Sequence, residues 1–195
     1  TYADWDIITL QQASTDSGLP DTYEPYLSNL VNYINTHKTN PYAKLAWHMT
    51  WAYQANSTHS GFANYGNSQM TMYNAIVAAA KSKILTNDSF STVIPNGTAV
   101  QNMRTSYVGD NLTRDGYHMA YDLGRYLTAL TFAKALTGCD LEKITYIPDG
   151  YTFNDKAIAA MKDAASNAVA KPFEVTQSAY PPDNTFDAAT ATIEQ

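Results

Sequence analysis

The chain is poor in cysteine, poor in charge, and has no long apolar run. Its single cysteine, Cys139, excludes an intramolecular disulfide and any cysteine-built zinc site. One thiol fits a reducing compartment, or a secreted bacterial protein that does without disulfides. Charged residues fill only 15% of the 195 positions, with 18 acidic against 12 basic side chains and a formal charge of −6. No Lys/Arg run is available to neutralise a phosphate backbone, which argues against nucleic acid as a partner. The apolar run around Leu130 to Leu136 is broken by Thr131 and Lys134, well short of the roughly 20 residues of a membrane helix. The opening Thr1-Tyr2-Ala3-Asp4-Trp5 has neither the positive nor the apolar region of an export signal, so such a signal was removed upstream or never existed.

What is present suits a folded α/β domain. Apolar residues make up 45% of the chain, enough for a real core. Trp5 to Leu10 reads as a buried parallel strand that delivers Gln11 and Gln12 at its C-terminal end. A chain that opens on a central strand suggests further sequence upstream. Tyr23, Tyr26, Leu27, Leu30, Val31 and Ile34 have helical spacing, and Lys44 to Thr50 is a second strand. Asn67 to Leu85 reads as helix, Ser91 to Ile94 as a third strand stopped by Pro95, and Ala99 to Tyr107 as a helical turn or two. His118 to Leu136 is the strongest helical pattern, closed by Gly138, and Asn154 to Ala170 is an Ala-rich helix. Alternating strands and helices predict a parallel sheet with helices on both faces, a three-layer α/β/α domain over residues 1–178 with a tail at 179–195. Ligands of such sheets bind beyond the C-terminal ends of the strands.

Chemistry concentrates in Gly109-Asp110-Asn111-Leu112-Thr113-Arg114-Asp115-Gly116-Tyr117-His118. Asp115 and His118, three apart, allow a carboxylate to turn back on the imidazole Nδ1–H and free Nε2 as a base. The plainer alternative makes Asp115 a helix cap and His118 a first-turn residue. Fifteen Tyr and three Trp are available as platforms for sugar rings. Trp51 and Tyr53, past the second strand, are placed to line a cleft, whereas Trp47 reads as core and His48 as facing a helix. His37 and His59 read as loop or surface histidines, and the four histidines lack metal-ligand spacing, so no metal is expected. Sequons at Asn56, Asn87, Asn96 and Asn111 read as chance.

The succession Pro95-Asn96-Gly97, Gln101-Asn102-x-Arg104, Arg114-Asp115-Gly116-Tyr117-His118 and Leu123-Gly124-Arg125-Tyr126 resembles the C-terminal half of SGNH (GDSL-like) hydrolases. The closest likeness is to a bacterial branch grouped with carbohydrate acetylesterases as a domain of unknown function, over residues 5 to 172. The resemblance implies a SGNH/flavodoxin-like sheet and a serine esterase needing no cofactor. In that scheme His118 is the base and Asp115 its orienting carboxylate. Gln12, or else Gln11, stands where the superfamily has an oxyanion-hole Asn, and Trp51, Tyr53, Arg104 and Tyr117 bind substrate. A secreted or periplasmic bacterial location follows from the same likeness. The nucleophile is the departure: no Gly-Asp-Ser occurs, and Gly66-Asn67-Ser68 opens a helix in the wrong order, so Ser68 or Asn67 reads as an N-cap. Ser14 and Ser17 are second choices. The expectation is that an upstream segment of the same protein supplies the serine and completes the sheet, from which the first strand and nucleophile turn are missing. The alternative is a non-catalytic carbohydrate-binding pseudoenzyme.

Overall fold

The structure, a computed structural model, describes residues 3–182. Three parallel strands form one sheet in the order β1-β2-β3: β1 (Ile7–Leu10), β2 (Lys44–His48) and β3 (Phe90–Ile94). Five helices surround it: α1 (Tyr26–His37), α2 (Gln69–Ala79, continued as a π turn to Ile84), α3 (Asn96–Arg104), α4 (Leu123–Thr137) and α5 (Asp155–Ala170). The α/β class with a parallel sheet therefore holds.

Strand alternation sorts β2 between two layers. Leu45 and Trp47 point into a core with Leu27 and Val31 of α1 and Met72 and Ile76 of α2. Trp47 is 3% exposed, so its truncation to alanine costs about 3–5 kcal/mol. Ala46 and His48 point the other way, where the His48 ring meets Phe132 of α4 edge-on at 5.0 Å. Behind α4, the helices α3 and α5 build a second core from Val100, Met103, Leu127, Leu130, Met161 and the alanines of α5. Small side chains there let the helices approach closely.

Local signals set several boundaries as expected. Ser68 caps α2 by accepting from the Thr71 N–H, Asn154 caps α5 by accepting from Ala157, and Gly138 ends α4 at φ 69°.

Three expectations need correction. Trp5 is 58% exposed and outside β1, and β1 is only half-buried because β2 is its sole strand partner among the described residues. α3 begins at Asn96 rather than Ala99, because the Gly97 N–H bonds the Met49 carbonyl at the end of β2 and seats the first turn there. α4 begins at Leu123 rather than His118. Residues 112–120 pair across a turn instead, Arg114 N–H to His118 O and Ala120 N–H to Leu112 O, and groups so paired are lost to a helix. Of the expected tail, residues 183–195 lie outside the described residues, whereas the Ala179 N–H bonds Asp163 and the Tyr180 carbonyl accepts the Tyr107 N–H.

Candidate functional site

The turn at 112–120 docks on the segment that follows β2, at the C-terminal end of the sheet. The Gln54 N–H bonds the Gly116 carbonyl at 2.8 Å, and the Trp51 indole N–H bonds the Tyr117 carbonyl at 2.7 Å. Gly116 holds φ at 90°, a backbone region that glycine enters without a Cβ penalty. A Cβ at this position would lie only 3.0 Å from the Ser57 hydroxyl.

Within this turn Asp115 and His118 meet. Asp115 Oδ1 accepts the backbone N–H of His118 at 2.8 Å and of Tyr117 at 3.2 Å, while Oδ2 lies 2.7 Å from His118 Nδ1. An ionised carboxylate only accepts, so the proton sits on Nδ1 and Nε2 keeps its lone pair. The His118 side chain is 52% exposed, and no hydroxyl of the described residues bonds its Nε2. Partial desolvation pushes the Asp115 carboxyl upward, but the bonds from the His118 ring and the two backbone N–H groups, with the ring's charge whenever it is protonated, outweigh it. The net pKa falls to about 2.

A half-buried carboxylate anchors the start of this loop. Asp110 takes the Arg104 Nε at 2.6 Å, the Ala55 N–H at 2.8 Å and the Gln69 amide at 2.9 Å. Arg104, expected to touch substrate, is instead a strut: its side chain is 4% exposed, Nη1 donates to Gln101 Oε1 and Nη2 to the Ala52 carbonyl. Burial lowers its pKa, against the opposing pull of Asp110. Tyr53 is likewise enclosed rather than cleft-lining, its hydroxyl sharing a 2.9 Å bond with Ser14 Oγ. Trp51 and Tyr117 stay partly open, and the Tyr117 ring rests 4.1 Å from that of His118. His59, read as a loop histidine, stands at the site: its ring is 4.5 Å from Tyr117. Only tertiary packing brings it there, for no spacing in the sequence links it to Tyr117.

The two glutamines have different fates. Gln12 Nε2 bonds the Thr22 carbonyl and hydroxyl, so its amide is spent on the loop. Gln11 Oε1 faces His48 Nδ1 at 2.7 Å, and Asn96 Nδ2 faces His48 Nε2 at 2.9 Å. The asparagine donates to Nε2, so Nδ1 carries the proton and Gln11 accepts it, leaving the Gln11 amide N–H groups without a partner among the described residues. Burial lowers the His48 pKa to about 4, which keeps the ring neutral in this relay. Asn96 Oδ1 is buried with no partner among the described residues. Of the second-choice serines, Ser17 is buried and bonded to Thr50 and to the Ala13 carbonyl, and Ser14 to Tyr53; neither meets a histidine. Among the described residues no group of histidine, cysteine and carboxylate side chains is arranged to hold a metal ion.

Residues 1–168 match the model of the DUF4886 family, a domain of unknown function. No curated protein matches. The crystal structure of a DUF4886 family protein from Bacteroides uniformis ATCC 8492, at 1.50 Å resolution, is 41% identical in sequence and superposes with a TM-score of 0.84. The match covers 90% of this chain and 66% of that one, so the chain spans just under two thirds of that relative's length. On the family match and this likeness, the chain belongs to the DUF4886 family.

Proposed function

We propose that the chain carries the base and its orienting carboxylate of an SGNH-type serine esterase. The observation that carries the reading is the 2.7 Å contact of His118 Nδ1 with Asp115, which leaves Nε2 unspent beyond the ends of the strands. In this reading Nε2 takes the proton of a serine hydroxyl, the serine oxygen attacks an acyl carbonyl, and Gln11 donates to the oxyanion that forms. Nε2 then returns the proton to the departing alkoxide, and water releases the acyl group by the reverse roles. The serine comes from an upstream segment that pairs with the outer edge of β1, which has no strand partner among the described residues. Tyr26 and Leu30 of α1, with Gln11 and Gln12 just past the end of β1, border a groove and are 73% and 43% exposed, apolar surface that such a segment would cover. The substrate class is a small acyl ester, acetyl first, on a carbohydrate, and a secreted or periplasmic location suits that substrate.

The test is hydrolysis of p-nitrophenyl acetate by the protein with its upstream segment, beside its His118→Ala variant. Activity abolished in the variant is expected; activity unchanged by His118→Ala ends the proposal.

A further inference from the structure

A cavity of about 320 Å³ lies between the N-terminal half of α4 and the segment 146–153. The Tyr126 hydroxyl donates to the Tyr146 carbonyl at 2.7 Å and ties that segment to the helix. Three of the lining rings run nearly parallel. Tyr126 and Phe153 stack at 5.1 Å and 23°, and Phe153 and Tyr151 at 6.3 Å and 5°. Tyr121 lines the cavity as well, with the Arg125 guanidinium 4.4 Å from its ring centre. Arg125 and Asp122, both exposed, border the opening, and neither side chain has an ion pair or hydrogen bond among the described residues.

Exposed aromatic surface in this amount calls for a use. Tyr121 is 54%, Tyr146 67% and Tyr151 39% exposed, all on one cavity. Flat ring faces take up the C–H face of a pyranose, while a guanidinium and a carboxylate lining the same cavity can hydrogen-bond its hydroxyls. A phosphate ligand is disfavoured by Asp122 at the opening, and an acyl chain by the two unpaired charges there. The volume suits one sugar ring with part of a second.

The cavity also stands next to the Asp115–His118 pair. Arg114 spans the gap: its guanidinium carbon is 4.6 Å from the same Tyr121 ring centre, and its Nε is 3.8 Å from Asp115 Oδ2. The Tyr121 wall of the cavity is therefore linked to the imidazole's carboxylate partner through one side chain.

We infer that the Tyr121–Arg125–Tyr151–Phe153 cavity is a pyranose subsite that holds a sugar residue of the glycan neighbouring the acylated one. The inference rests on the esterase reading for its place in the reaction, but binding itself does not. The test is saturation-transfer NMR and calorimetry with xylotetraose, cellotetraose and chitotetraose, on the protein with its upstream segment. At least one tetrasaccharide binds, and Tyr151→Ala and Arg125→Ala each weaken it about tenfold, while p-nitrophenyl acetate hydrolysis is unchanged by either. Both side chains are exposed, so both variants fold. Failure of all three sugars to bind, or binding undiminished in both variants, overturns the subsite. Sugar binding that depends on Tyr151 in a protein whose hydrolysis ignores His118 would sink the esterase reading and keep the subsite.

Discussion

Asp110→Ala is the sharpest test of how the site is held. The carboxylate satisfies three donors from three parts of the chain: Arg104 on α3, Gln69 on α2 and the Ala55 backbone after β2. Its removal leaves a guanidinium whose side chain is 4% exposed without a counter-charge, though still bonded to Gln101 and the Ala52 carbonyl. Breaking a buried pair from one side costs 3–5 kcal/mol, and the 29% exposure of Asp110 takes the expectation to the lower end, about 3 kcal/mol. For a domain of this size that is a fall in Tm of about 6–12 °C. Urea and thermal unfolding followed by circular dichroism at pH 7 read it directly. The companion variant with Arg104→Met added removes the orphaned charge and recovers part of the loss. An Asp110→Ala protein within about 1 kcal/mol of the parent would refute the reasoning, since the loop bearing Asp115 and His118 would then not depend on that anchor.

Two further outcomes follow from single side chains. His48 has a pKa of about 4 in the fold against 6.5 for an ordinary histidine, so the unfolded chain takes up the proton first as pH falls. Its contribution is complete above pH 6.5 and lost on the way down to 4, about 2 kcal/mol after allowance for its partly open edge; the slope of stability between those pH values should vanish in His48→Gln, and a slope that persists would place the titration elsewhere. In Gly124→Ala the new Cβ falls on the Leu112 carbonyl and against Met119, the base of the turn that carries Asp115 and His118. Overpacking of that kind costs about 1–3 kcal/mol in denaturant titration, and a variant as stable as the parent would show that the turn yields freely.

Much of the fold was legible because its signals are local. Ser68, Asn154 and Gly138 end helices through bonds or backbone angles within a few residues, and alternation in Lys44 to His48 sorts side chains between two faces wherever the strand lies. The Asp115–His118 contact was legible for the same reason: its partners are three residues apart, and one turn of chain brings them together. Apolar spacing misled before α4, because residues 112–120 satisfy one another across the turn and the helix waits for Leu123.

What only tertiary structure decided is where charges and amides are spent. By sequence alone Arg104 is a cation near the motif and Gln12 is preferred to Gln11 as the amide donor. In the fold Arg104 is sealed against Asp110, Gln12 is consumed by Thr22, and His48 and Asn96, from the other two strand ends, set Gln11 with its amide N–H groups unpartnered among the described residues. The aromatic cavity against α4 is of the same kind, since Tyr121 and Tyr151 are thirty residues apart in the chain and meet only when the segment 146–153 folds back. Local chemistry sets caps, turns and i to i+3 contacts; the use of a hydrogen-bonding group depends on which partner reaches it first, and that is a property of the packed chain.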